Sequence, residues 1–134
     1  MAWTYSSLTE ALQTLPQLNI AIHNTDESLI IEMRDYGDLQ LHLLLTTRQI
    51  IVETYICPLS TIPRQAELNH FLLRHQKILP LTSVGISQVQ NEDYYIAFGA
   101  LSLNSTLEDI ALEIATLAEN ALDIAEVMDD YIHQ

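Results

Sequence analysis

The chain is short of positive charge. Five Lys and Arg stand against 18 Asp and Glu in 134 residues, a formal net charge of −13. Lys77 is the last base, so residues 1–77 carry eight acids and five bases, while residues 78–134 carry ten acids and none. Phosphate backbones are held by clustered Lys and Arg, so this balance excludes nucleic acid as the expected partner. One cysteine, Cys57, leaves no intramolecular disulfide to form. With only three glycines, Gly37, Gly85 and Gly99, no glycine-rich phosphate loop can be written. The greasiest stretch, LQLHLLLTTRQIIVETYICPL, is interrupted by His42, Arg48 and Glu53, so no bilayer-spanning segment and no direct membrane insertion are expected. The start, MAWTYSSLTEALQTLP, has neither the positive cluster nor the apolar run of a secretory signal. At this length, with 49% apolar residues, the expectation is one cytoplasmic, reduced, globular domain spanning residues 1–134.

What is present is periodicity. SSLTEALQTLP predicts a first helix, with Ser7 and Glu10 as its capping box, Leu8, Ala11, Leu12 and Leu15 on one face, and Pro16 as its stop. Alternation then predicts four strands. LNIAIH turns Leu18, Ile20 and Ile22 to one side, and LIIEMR does the same with Leu29, Ile31 and Met33. LQLHLLL follows the turn DYGD and faces Leu39, Leu41, Leu43 and Leu45 inward. IIVETYIC sets Ile50, Val52 and Ile56 against Ile51, Glu53, Tyr55 and Cys57. RQAELNHFLLRHQKIL reads as a second helix, with Ala66, Phe71, Leu72 and Leu79 as its core positions. SVGISQV and DYYIAFGAL are two more strands about the turn QNED, and NSTLED, with Ser105 and Glu108 as a capping box, starts a long last helix. The predicted order, α-β-β-β-β-α-β-β-α, is an α+β fold with an antiparallel sheet.

No motif announces chemistry. His70 and His75 lie about 140° apart around a helix and do not converge on a metal. His23 and His42 fall on the outer sheet face without a cysteine pair, as solvated strand histidines do. Cys57 has no adjacent Lys, Arg or His to activate it. No catalytic residue, metal or cofactor is expected. An enzymatic or small-molecule-binding alternative would place a pocket between the second helix and the sheet, near His70, Arg74, Tyr94 and Tyr95.

The last helix is the unusual element. Residues 106–134 hold eight Asp or Glu and no Lys or Arg. On a helical wheel its apolar side chains cover an arc of roughly 200°, nearly twice the stripe a sheet-covering helix requires. Glu108, Asp109, Glu113, Glu119, Asp123, Glu126 and Asp130 fill the rest. Glu119, Asp123, Glu126 and Asp130 recur at helical spacing with no cation between them, which opposes the helix by a few tenths of a kcal/mol per pair. Such a face either solubilises the protein or docks a basic partner. His70, Arg74 and Lys77 form a basic stripe on the second helix that is complementary to it. With Ile30, Leu44, Ile51 and Tyr55 on the outer sheet face, self-association as a dimer is also expected.

The stretch FLLRHQKILPL (Phe71 to Leu81), the single Gly85 and EDYYIAFGALS (Glu92 to Ser102), followed by an acidic helix, resemble the YjfI-like family of small bacterial proteins of unknown function. The likeness runs the whole length, from the Trp3 start. It implies no catalytic residue. It implies an envelope-stress setting and a partner of the phage-shock-protein-A type, a membrane-remodelling protein. The architecture is also similar to that of type III secretion chaperones, acidic dimers that bind other proteins, with one strand more. The expected function is a protein-binding adaptor or chaperone-like module, contacting its partner through Glu119, Asp123, Glu126 and Asp130.

Overall fold

In the computed structural model, which describes residues 2–133, the elements follow the order that periodicity predicts. Helix α1 (Tyr5–Gln13) leads into β1 (Ile20–Asn24), β2 (Leu29–Met33), β3 (Leu39–Leu45) and β4 (Gln49–Pro58). Helix α2 (Gln65–His75) precedes β5 (Ser83–Val89) and β6 (Glu92–Ser102), and α3 (Leu107–Ile132) completes the fold. All pairings are antiparallel in one six-stranded sheet, ordered β1-β2-β3-β4-β6-β5. The long connection that contains α2 carries the chain past β6, leaving β5 as an edge.

Alternation decides which side faces the helices. Leu29, Ile31 and Met33 of β2, Leu41 and Leu43 of β3, and Ile50 and Val52 of β4 are all buried. They pack with Leu8 and Leu12 of α1 and with Ile110, Ile114, Leu117 and Ile124 of α3 in one core. Thr54 takes the next inward place in β4, and its hydroxyl donates to the Gln40 carbonyl at 2.9 Å, which satisfies the polar atom inside the core. Gly37 adopts a φ of +67° after the turn at Arg34–Tyr36, as the DYGD reading requires.

Several local expectations are corrected. The N-cap of α1 is Thr4, paired reciprocally with Ser7, so the capping box lies three residues before the one expected at Ser7 and Glu10. For α3 the cap is Thr106, one residue beyond Ser105. Leu18 belongs to a 3-10 turn, not to β1. The core residue of α2 is Leu68, whereas Ala66 is exposed and Phe71 is 36% exposed, because α2 rests on the β5 side of the sheet along a narrow stripe. In β4 the register slips between Tyr55 and Cys57. This bulge turns Cys57 from the outer face expected for it to the core side, opposite Tyr95, with its Sγ 3.7 Å from Met128 Sδ. Burial pushes its thiol pKa up, away from reactivity.

Two polar side chains of α3 are buried with the core, Glu113 and Asn120. The Asn120 amide donates to the Pro80 carbonyl at 2.9 Å and to Thr82 Oγ1 at 2.8 Å, tying the α2–β5 connection to α3. Between them Leu81 holds a φ of +63°, a conformation leucine rarely adopts.

Candidate functional site

The acidic arc of α3 is a surface, with one exception. Glu119, Asp123, Glu126 and Asp130 are all exposed on it. Glu113 is the exception. It is buried, not solvated, because its side chain turns under the helix onto Gly99 of β6.

The basic stripe does not meet the acidic face inside the molecule. Among the described residues the ion pairs are His23–Glu32, Arg64–Glu67 and His133–Asp129. His70, Arg74 and Lys77 are exposed, and none pairs with an acid of α3. The complementary charges therefore stay unspent on this surface.

Between α2 and α3 runs an apolar groove of about 160 Å³, lined by Phe71, Leu72, His75, Ile78, Leu79, Ile124, Val127 and Asp123. Phe71 stacks on His75 with ring centroids 4.4 Å apart and approaches Tyr131 at 6.2 Å. Ile78 is 68% exposed at its edge. Asp123, one of the four acids singled out from sequence, lies on the wall of this groove, and a shallow acidic hollow of Ala125, Glu126, Asp129 and Asp130 lies farther along the same helix. The acidic face and the surplus apolar arc are thus parts of one surface. Sequence reasoning missed Phe71 and Ile78 because it assigned Phe71 to the core and gave Ile78 no role.

A second hollow, about 240 Å³, does lie between the second helix and the sheet. Its lining is Asn69, Leu72, Leu73, Gln76, Val84, Gly85, Ile86 and Tyr95. Of the four residues proposed for such a pocket, only Tyr95 lines it. Tyr95 is buried, and its hydroxyl donates to Asn69 Oδ1. Tyr94, its neighbour in the strand, points to the other face, where its ring lies 6.0 Å from that of Tyr55. His70 and Arg74 are exposed on α2. The structure does not bring these four together, and the wall is mostly apolar, its amides Asn69 and Gln76 already engaged by Tyr95 and Val84.

On the outer face, His23 and His42 flank Ile30 across the ladder. His42 stacks on Tyr55, and it lowers the Glu53 pKa less than burial raises it.

Burial perturbs Glu113 of α3. Its Oε2 is buried with no hydrogen-bond partner among the described residues, and burial raises its pKa above the ordinary 4.5. Folded Glu113 therefore holds its proton to higher pH than it does in the unfolded chain. Between 4.5 and the raised folded value the native state binds more protons, so stability falls as pH rises through that window. Replacing Glu113 with Gln is expected to raise the unfolding free energy by about 1 kcal/mol at pH 7. The gain should vanish below the ordinary value, where both states of the parent are protonated. Urea denaturation at both pH values checks this, and an equal effect at each would contradict a buried charge.

A sheet covered on one side by three helices, the last of them long, places the chain in the secretion-chaperone-like class of α+β folds. Solved structures share it: YbjN of E. coli, described as a candidate transcription regulator, superposes with a TM-score of 0.70 at 14% identity over 97% of this chain and 94% of that one. The ExsC–ExsE complex gives a TM-score of 0.55 at 13% identity over 94% and 96% of the two chains, and the HopA1–SchA chaperone–effector complex 0.53 at 15% over 89% and 88%. At these identities the likeness is one of fold. The chain belongs to the DUF2170 family, described as an uncharacterised protein conserved in bacteria, which residues 2–132 match. Within it, the uncharacterised protein YjfI of E. coli K12 is 58% identical over 133 residues, covering 99% of this chain and 100% of that protein. The protein of the same name from E. coli O157:H7 matches equally. No helix among the described residues is long and apolar enough to cross a membrane.

Proposed function

We propose that this protein is a protein-binding adaptor, chaperone-like in manner, whose docking surface is the groove between α2 and α3 with its acidic rim. The observation that carries this is the placement of Asp123 on the wall of an apolar groove beside exposed Ile78, with Glu119, Glu126 and Asp130 on the same helix. Unpaired acids attract a basic segment from a distance, and apolar contacts then hold it. Two of the solved structures with this fold were captured as complexes with another protein, which supports the same use here. A membrane-remodelling protein of the phage-shock-protein-A type and a second copy of this chain are the two partners to test, within an envelope-stress setting.

Affinity purification from the native host, run at low and at high salt, tests the proposal. A stoichiometric protein partner released by salt is expected, since surface charges are screened within about 8 Å at physiological ionic strength. Changing Glu119, Asp123, Glu126 and Asp130 together to Lys is expected to abolish capture while leaving the circular dichroism spectrum and the unfolding midpoint near those of the parent. All four are exposed, so the fold does not depend on their sign. Undiminished capture by that variant would remove the acidic face from the mechanism. A small molecule retained in place of a protein would favour the apolar hollow between α2 and β5.

A further inference from the structure

A third recess opens near the N-terminal end of α3. It encloses about 240 Å³ among Leu81, Ala100, Leu101, Ser105, Asp109, Leu112 and Glu113. Its wall contains two carboxylates one helical turn apart, Asp109 and Glu113, and no base. Glu113 is 4% exposed, and its Oε2 has no hydrogen-bond partner among the described residues. A side chain so placed is costly to keep, because a buried carboxylate lacking a donor loses its hydration for nothing in return.

The backbone beside it adds an acceptor, the Leu81 carbonyl. A Cβ built on Gly99 would lie 2.6 Å from Glu113 Oε1 and 3.2 Å from the Leu81 carbonyl oxygen, so both oxygens lie close over the Gly99 backbone at one side of the recess. Leu81 presents that carbonyl from a left-handed conformation, held by the two hydrogen bonds from Asn120 to its neighbours. Meanwhile Leu81 and Leu112, two large apolar side chains each 56% exposed, line the same recess as the two carboxylates. Apolar side chains beside these oxygen acceptors suit a ligand with an aliphatic stem and a cationic, multi-donor head.

We propose that this recess receives the side chain of one arginine from the protein partner, its stem between Leu81 and Leu112 and its guanidinium on Glu113, Asp109 and the Leu81 carbonyl. Arginine is preferred to lysine because its planar head offers five N–H donors to several acceptors at once and sheds water more readily. The recess deepens the protein-binding proposal and rests on it: the α2–α3 groove holds an apolar segment, and this second point fixes its register.

The test uses the whole chain and small probes. Ethylguanidinium, ethylammonium and the uncharged analogue ethylurea are titrated into ¹⁵N-labelled protein at low salt. Ethylguanidinium is expected to shift the amide resonances of Leu81, Gly99, Ala100 and Glu113 in a saturable way. Ethylammonium should bind several-fold more weakly, and ethylurea should cause no such shift. Affinity should fall at least tenfold in Glu113→Gln, which keeps the shape, and several-fold in Asp109→Asn, an exposed position whose change leaves the core untouched. Equal shifts with ethylurea, or undiminished binding in both variants, would overturn the assignment, as would no saturable shift at all. These outcomes do not touch the α2–α3 groove, whose failure would show instead as unchanged partner capture by groove variants.

Discussion

Gly99→Ala is expected to lower the unfolding free energy by about 2 kcal/mol. In most strand positions the same change would help, since glycine is the costlier residue to order by about 0.5–1 kcal/mol. Here space decides the sign. Gly99 pairs with Val52 and faces inward, and a methyl group there would meet Glu113 Oε1 at 2.6 Å, Glu113 Cδ at 2.8 Å and the Leu81 carbonyl oxygen at 3.2 Å. The carboxylate is the far end of a flexible side chain, but it is enclosed and cannot swing aside without emptying its place in the interior. The Leu81 carbonyl is less free still, because Asn120 clasps the residues on either side of it. A double-mutant cycle separates these causes. Glu113→Ala removes two of the three close contacts, so the pair Gly99→Ala and Glu113→Ala should show a favourable coupling of at least 1 kcal/mol in urea denaturation. Strict additivity would mean that Leu81, not Glu113, sets the cost.

The coupling of Gly99 to Glu113 also marks where legibility ended. Strand alternation was plain in LIIEM and LQLHL because each carries an unbroken inward set, and five of those residues are buried. The length of α3 was equally plain from its apolar arc, although its cap is Thr106 and not Ser105. Cys57 was misplaced because a bulge shifts parity by one, and nothing in VETYICP announces it. Phe71 looked like core because it is apolar and aromatic, yet the stripe by which α2 touches the sheet is Leu68 with half-buried Leu72. Glu113 was read as solvated because a wheel knows only angle. The hollow at Gly99 that admits its carboxylate belongs to another element, as does the Pro80–Thr82 segment that Asn120 binds. The groove was invisible for the same reason: Ile78 and Asp123 are distant in sequence, and only packing of α2 beside α3 makes them neighbours. Periodicity reports which face of an element is apolar; it does not report what that face meets.

Ile78→Asp is expected to weaken capture of the recovered partner by about thirtyfold, equivalent to about 2 kcal/mol of binding free energy. Ile78 lies at the edge of the α2–α3 groove and is 68% exposed, so an acid there costs the folded state little. In a complex the same acid would sit against an apolar anchor and would have to be desolvated, which is the costly event. Ile86→Asp is the matched control. Ile86 is 50% exposed and lines the other hollow, between α2 and β5, so it samples a similar apolar surface on the opposite flank of α2. Loss with Ile78→Asp and retention with Ile86→Asp assigns the partner to the α3 side; the reverse pattern assigns it to the sheet edge, where an incoming strand would also find unpaired backbone on β5. Kinetics then divide the labour between charge and contact. Reversing the four acids should act mainly on the association rate and on its salt dependence, because steering is exerted before contact. Ile78→Asp should act mainly on dissociation, because apolar contact exists only once the complex has formed. Surface plasmon resonance at two salt concentrations reads both rates, and a charge-reversal variant that slows association no further at low salt than at high salt would detach the acidic helix from recognition altogether.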